Sequence, residues 1–257
     1  MSEDIRYQKV ERRERPKTEP QLRQEVIQVC QLLWQKGFVA ATDGNVSVRL
    51  DQERFLCTPS GFSKGLVRAE ELVVVDWEAQ PVGPRYGAAA ELLPSSEMLT
   101  HLEAYRRRPD VRAVVHAHPP VAVALSIAGI SLARCLLPEV VLAFGMIPTT
   151  DYATPSSSQG AAVIRQHIDR YDAMVLQRHG SLTVGTSAVD AYLKLEKLEA
   201  TAEITRTLVT LGRAQEATLP PEEVARLVAW REAQGLMKPG QADDLCRECG
   251  VCATPPR

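Results

Sequence analysis

Apolar residues recur at helical spacing between Gln21 and Lys36, at Leu22, Val26, Val29, Leu32 and Leu33, and Gly37 follows. That period predicts a helix buried along one side and stopped by the glycine. Shorter runs come next: Val46 to Leu50 and Arg54 to Thr58 predict two strands around Asp51-Gln52, and Leu72 to Asp76 predicts a third. Gly83 to Leu93 has loop composition, and Pro94-Ser95-Ser96 predicts a helix start leading into Glu97 to Arg107. Val111 to Val115 reads Val-Arg-Ala-Val-Val, a strand that Pro119 and Pro120 end, because proline cannot donate to a ladder. A short helix can begin at those prolines. Gly145 to Thr149 predicts a strand, Ser157 to Asp169 a helix, and Ala173 to Gln177 with Ser181 to Val184 two strands flanking His179-Gly180. Ser187 with Asp190 sets a capping box at the head of a long helix to about Leu211, and a last helix spans Glu222 to Gln234. Interleaved helices and strands without an internal repeat predict an α/β chain folded as a layered αβα domain.

Charge and composition narrow the classes. A net charge of −2 over 257 residues gives no electrostatic case for nucleic acid or an anionic membrane as partner. The basic cluster Arg12, Arg13, Arg15 and Lys17 is interrupted by Glu14, and residues 1–20 read as a loose polar arm. The longest apolar stretch, Val121 to Leu137, contains Gly129 and Arg134 and is short for a bilayer. The polar, acidic start and the six cysteines, three of them scattered singly, set the expectation of a cytoplasmic protein without a disulfide framework. The body of the domain is expected over residues 21–237, with a Cys-containing tail over 238–257.

The chain has five histidines, and three fall in one pattern: His116-Ala117-His118 at the end of a strand, and His179 before Gly180. Residues i and i+2 of a strand share a face, so His116 and His118 present two imidazoles together. With His179 from another segment they suit a divalent transition metal, most simply Zn2+, with a fourth position open for substrate or water. The bland alternative is three polar residues at strand ends. His101 and His167 lie in helical stretches and are read as non-ligands.

Three further features stay open on local sequence. Glu97 can complement a helix dipole with Ser95 or Ser96 as N-cap, or place a carboxylate beside the metal to ligate it or carry a proton. Thr42-Asp43-Gly44-Asn45 and Thr58-Pro59-Ser60-Gly61 can be plain turns or anion nests, and sequence spacing does not show whether they meet Ser95-Ser96. Cys246, Cys249 and Cys252 at x2 spacing can wrap a second metal, but a closed site needs a fourth ligand that the tail does not offer.

Taken in order, Ala41 to Arg49, Thr58-Pro59-Ser60-Gly61, Ser95-Ser96-Glu97, Pro109-Asp110 through His116-Ala117-His118-Pro119, and His179-Gly180 resemble the class II aldolase/adducin family from about Leu22 to about Leu211. The resemblance implies a three-layer αβα sandwich on a largely antiparallel central sheet, and a homotetramer with sites between neighbouring subunits. It implies one divalent ion per subunit, most simply Zn2+, on His116, His118 and His179. Glu97 falls on the family's acid/base carboxylate, sometimes a fourth ligand, and Gly44, Asn45, Ser60, Gly61, Ser95 and Ser96 fall on positions that hold a substrate phosphate. The implied activity is that of a lyase, an L-fuculose-phosphate aldolase-like enzyme cleaving or forming a C–C bond in a small phosphorylated ketose through a metal-stabilised enediolate. Epimerase, decarboxylase and dehydratase chemistry at the same site are the alternatives, and a non-catalytic adducin-like scaffold module is a further one.

Two departures stand out. Arg178 occupies a position where the family often has asparagine, and no tyrosine lies beyond Tyr192 to match one the aldolases can draw from their C-terminal region. Tyr152 and Glu139 are the substitutes considered for a substrate-facing role.

Overall fold

The computed structural model describes residues 16–84, 90–213, 217–249 and 251. In chain order these form α1 (Glu19–Gln35), β1 (Asn45–Arg49), β2 (Phe55–Cys57), β3 (Val73–Val75), α2 (Met98–Arg107), β4 (Ala113–Ala117), α3 (Pro120–Ile127), α4 (Pro138–Phe144), α5 (Ser158–Val163), β5 (Ala173–Leu176), β6 (Gly180–Gly185), α6 (Ala188–Thr210), α7 (Pro221–Ala233) and α8 (Gln241–Glu248). One sheet runs β3-β2-β1-β4-β6-β5, and every neighbouring pair is antiparallel. The chain is therefore α/β, as the interleaved pattern predicts, around the antiparallel sheet that the resemblance implies.

Strand alternation sorts the core into two faces. Val46 and Val48 of β1 and Ala113, Val115 and Ala117 of β4 pack with α1 and α6 through Val26, Val29, Leu33, Ala191 and Leu195. Val114 of β4, with Phe55, Val75, Met174 and Val184, faces α2 and the 164–168 turn through Met98, Leu102, Tyr105, Ile164 and Ile168. His116 shares the parity of Val114, so it is directed to the α2 side. The α6 layer extends over β5 through α3 and α4, and α7 with α8 packs outside α4.

Differences from the sequence pattern have local causes. Residues 145–149 form no strand: Thr149 makes one isolated bridge to Val175, and Pro148 interrupts any ladder there. The 157–169 helix is short, with α5 giving way to a 3-10 turn at Ile164–Gln166. α4, seven residues between Pro138 and Gly145, is too short to show a period. α8 falls in the segment read as a tail, yet Leu245 and Cys249 are buried against Tyr171, Val224 and Trp230, and the Tyr171 hydroxyl donates to Asp244 at 2.9 Å. Residues 241–249 thus belong to the packed body. Residues 1–15 of the expected arm lie outside the described residues, and α1 already begins at Glu19. Among the described residues no helix is long and apolar enough to cross a membrane.

Candidate metal centre

One end of the sheet gathers the three histidines. β1 pairs with β4 so that Asn45 faces His116, and β4 pairs with β6 so that His116 faces Leu182 and Ala117 faces Ser181. His118 follows β4, its backbone N–H donating to the Phe38 carbonyl at 2.8 Å, and His179 closes the three-residue loop between β5 and β6. Ring centroids of the three imidazoles lie 4.7–4.9 Å apart. Glu97, immediately before α2, completes the group, and one ligand atom from each of the four lies within 4.8 Å of the others. Among the described residues this is the one such cluster of histidine, cysteine and carboxylate side chains.

The Glu97 carboxylate is turned to the histidines and not to the helix end. Glu97 occupies the N-cap position without a side-chain cap bond, and its backbone N–H donates to Ser95 Oγ at 3.3 Å. Its Oε2 lies 3.0 Å from His116 Nε2, its Oε1 3.4 Å from His179 Nε2, and Asn45 Nδ2 donates to Oε2 at 3.0 Å.

The donor set fits a cation. His116 Nδ1 lies 2.8 Å from the Ser181 carbonyl, which can only accept, so Nδ1 carries a proton and Nε2 is the nitrogen turned toward the group as a ligand atom. His118 Nδ1 lies 3.3 Å from Asp43 Oδ2, which favours the same tautomer. The two Nε2 atoms then face each other at 3.0 Å, beside a carboxylate. Converging lone pairs repel unless a positive charge stands between them. Burial, reinforced by His116, pushes His118 below its ordinary pKa and takes His179 down to about 4, so both favour the neutral, ligating form. Burial opposes charge on Glu97, but His116, His179 and the Asn45 amide outweigh it and hold the carboxyl well below the usual range.

The small-residue turns do meet. Pro59 bridges Pro94, Ser60 N–H donates to the Leu93 carbonyl at 2.9 Å, and Ser95 N–H donates to the Thr58 carbonyl at 3.1 Å. Ser96 Oγ pairs with Ser156 Oγ at 2.9 Å. Gly44 and Gly61 both have positive φ, +71° and +77°. Gly44 is also required sterically, since a Cβ there would stand 2.9 Å from the His116 carbonyl oxygen. Of the six phosphate candidates Asn45 is buried, whereas Ser60 and Gly61 are exposed.

Sequence reasoning missed several supports. The side chain of Lys64 is buried, and its ammonium donates to the carbonyls of Thr42 at 2.9 Å and Phe62 at 2.6 Å, tying the two turns together. Nothing in its local sequence marks that role. Glu199 of α6 accepts from the backbone N–H groups of Val121 and Ala122 at 2.8 and 2.9 Å, which anchors α3 just after His118. The buried His101, read as a non-ligand, lies outside the four-residue group and bonds Ser47 Oγ through Nδ1 at 2.7 Å. Tyr152 is exposed on the 151–155 loop, whose Asp151 and Ala153 line a small cavity with Glu97 and His179. The thiols of the second-site reading belong to no group of three or more potential ligands among the described residues: Cys249 is buried in an apolar cluster, and Cys252 lies outside the described residues.

Comparison with known proteins agrees with this geometry. Residues 24–205 match the Class II Aldolase and Adducin N-terminal domain. The chain is 30% identical over 189 residues to L-fuculose phosphate aldolase of Methanococcus vannielii, covering 74% of this chain and 98% of that one. It is also 30% identical over 187 residues to 3-oxo-tetronate 4-phosphate decarboxylase of Haemophilus influenzae, covering 71% and 86% respectively. The structure of l-fuculose-1-phosphate aldolase from Thermus thermophilus superposes with a TM-score of 0.62 at 32% identity, covering 77% of this chain and 97% of that one. The chain belongs to the class II aldolase/adducin family. Class II aldolases are divalent-metal lyases, and both curated relatives are named for lyase activities.

Proposed function

We propose that the protein is a metal-dependent aldolase that cleaves or forms a C–C bond in a small phosphorylated ketose. The observation that carries this reading is the convergence of Glu97 with His116, His118 and His179 within 4.8 Å, beside turns whose glycines have positive φ. His116, His118 and His179 would hold a divalent ion, with zinc the best match to a three-imidazole set. Such an ion supplies Lewis acidity toward the negative charge that develops on a carbonyl substrate.

The chain's own residues do the rest. In the bond-forming direction ionised Glu97 takes the proton from the carbon next to the carbonyl, and in cleavage it returns that proton. Asn45 holds the carboxylate in place for both. The backbone at Gly44, Ser60 and Gly61 and the hydroxyls of Ser95 and Ser96 are assigned to the phosphate, which fixes the reacting carbons using binding energy from the far end of the substrate.

A second reading has specific support: a relative at 30% identity is named as a decarboxylase of a phosphorylated oxo-acid. Loss of CO2 from such a substrate also leaves an electron pair on carbon next to a carbonyl, so Glu97 would serve it unchanged. Metal analysis of the purified protein, followed by a screen of phosphorylated ketoses and oxo-acids, separates the two. An aldehyde released together with dihydroxyacetone phosphate from a ketose phosphate supports the aldolase, and CO2 released from an oxo-acid phosphate supports the decarboxylase. An epimer or a dehydrated product would replace both readings, and a metal-free, inactive protein would favour a scaffold module.

A further inference from the structure

Two of the three imidazoles are reached through the two ends of one short helix. Pro119 follows His118 directly, and α3 begins at Pro120. In the last turn of α3, Ser126 Oγ accepts from the backbone N–H of Arg178 at 3.0 Å, and Arg178 immediately precedes His179. His116 is held in another way, inside the ladder that β4 makes with β1 and β6. α3 therefore spans from one histidine of the metal centre to the loop that carries another.

A buried polar side chain holds each end of α3. Pro120 has no N–H, and Val123 N–H donates to the Pro119 carbonyl at 3.0 Å. The two remaining donors of the first turn, Val121 and Ala122, go to opposite oxygens of Glu199 at 2.8 and 2.9 Å. Glu199 stands midway along α6, only 4% exposed, and its carboxylate complements the positive end of the α3 dipole. Ser126, 5% exposed, spends its one hydroxyl proton on the Val123 carbonyl at 2.7 Å. Its lone pairs are left for the Arg178 N–H. The residue held there has φ +59°, which is strained for a residue with a Cβ, so the bond to Ser126 opposes relaxation of the loop that carries His179.

Packing alone leaves α3 free to slide. Val121, Ala122 and Leu125 are seated against Leu198 of α6 and Val175 of β5, and such apolar contact is not directional. The hydrogen bonds at the two ends are directional and fix the helix along its own axis.

We propose that Glu199 and Ser126 are positioning residues of the metal centre, locking α3 to α6 and to the 177–179 loop and so setting the separation of His118 and His179. Neither belongs to the group of four potential ligands. The proposal rests on the assignment of His116, His118 and His179 as the ligands.

Co2+ binding to the full-length protein, read by its visible absorption spectrum and by chelator competition, tests this without recourse to turnover. Ser126→Ala and Glu199→Gln should each weaken Co2+ binding about tenfold or more and shift the absorption bands. Ser126→Thr keeps the acceptor and should keep the wild-type affinity and spectrum. Leu198→Ala loosens the packing of α3 without touching either bond, and it should lower the melting temperature while leaving affinity and spectrum at wild type. Wild-type affinity and spectrum in the folded Ser126→Ala and Glu199→Gln variants overturn the proposal. So does the same loss in Leu198→Ala, which would make it an effect of loosened packing. Should Glu199→Gln fail to fold, Ser126→Ala against Ser126→Thr and Leu198→Ala decides the question. Wild-type protein that takes up no Co2+ would overturn the ligand assignment itself and the proposal with it, whereas uptake by the wild type with no change in the variants overturns the proposal alone.

Discussion

Asn45 Nδ2 donates to Glu97 Oε2 across 3.0 Å, joining the first residue of β1 to the residue that opens α2. The amide is buried, and its partner is the carboxylate assigned to proton transfer. A hydrogen bond to a charged group contributes about 1.5–3 kcal/mol. Asn45→Ala should therefore lower kcat by roughly ten- to a hundredfold while the three imidazoles keep their metal. Steady-state kinetics with parallel metal analysis checks this. A variant with wild-type kcat would assign Asn45 to binding and not to positioning.

Glu97→Gln keeps the shape of the side chain and removes its basicity. If Glu97 moves the proton, turnover should fall by at least about a hundredfold, in the range typical of general acid–base groups. The histidine tautomers are set by Ser181 and Asp43, not by Glu97, so metal content should stay near one ion per chain. Unimpaired turnover would remove Glu97 from the chemistry.

Gly180 forms the floor beneath the rings. A Cβ at this position would stand 2.4 Å from the Ala117 carbonyl oxygen, 2.8 Å from His118 Cδ2 and 3.0 Å from His116 Cε1. The first of these is backbone and cannot yield cheaply, so Gly180→Ala should push β4 from β6 and spread the imidazoles. Overpacking of this kind costs about 1–3 kcal/mol. Chelator competition should show at least tenfold weaker metal binding, with a lower melting temperature. Wild-type metal affinity in the variant would mean that the rings do not depend on this floor.

Six strand segments and the positions of the histidines at strand ends were legible because both follow from period and residue type, whereas the order of those strands in the sheet was not. Alternation of faces along β4, which is buried on both, puts His116 on the side of Val114, and i+2 spacing brings His118 beside it. Glu97 was ambiguous because a carboxylate before a helix looks the same whether it caps the helix or turns away. Only its distance to His116 decides between them. The meeting of Thr58-Pro59 with Pro94-Ser95 was not legible at all, since it depends on how a connection of more than thirty residues returns to the sheet. Lys64 and Glu199 were missed for a related reason. Each acts on backbone groups far away in sequence, and no local pattern marks a side chain that serves remote carbonyls or N–H groups. α8 escaped because the cysteines drew the segment toward metal chemistry, while its burial rests chiefly on Leu245 and Cys249.

Arg178 adopts φ +59°, a left-handed conformation disfavoured for a residue with a long side chain. Its backbone N–H donates to Ser126 Oγ at 3.0 Å, and its side chain is exposed. Asparagine tolerates this conformation better without the unfolded-state entropy that glycine adds. Arg178→Asn should stabilise the fold by about 0.5 kcal/mol, seen as a higher urea midpoint at an unchanged slope. A lower midpoint would show that the arginine side chain makes a contribution that its exposure hides.

Asp172 sets an acid limit on stability. Burial opposes its charge, but Lys194 and Arg108 prevail and bring its pKa from 3.8 down to about 2. The folded state therefore binds the proton less readily than the unfolded chain. The resulting stabilisation is fully present above about pH 4 and is lost as pH falls from there through about 2. With the side chain a third exposed, solvent screening trims the contribution to roughly 1 kcal/mol. Asp172→Asn should be less stable than the wild type by about that amount at pH 7, and the gap should close progressively between pH 4 and pH 2.5. Urea unfolding of both proteins across that range reads the gap directly. A gap as large at pH 2.5 as at pH 7 would assign the loss to packing around Arg108 and Lys194 and not to the charge of Asp172.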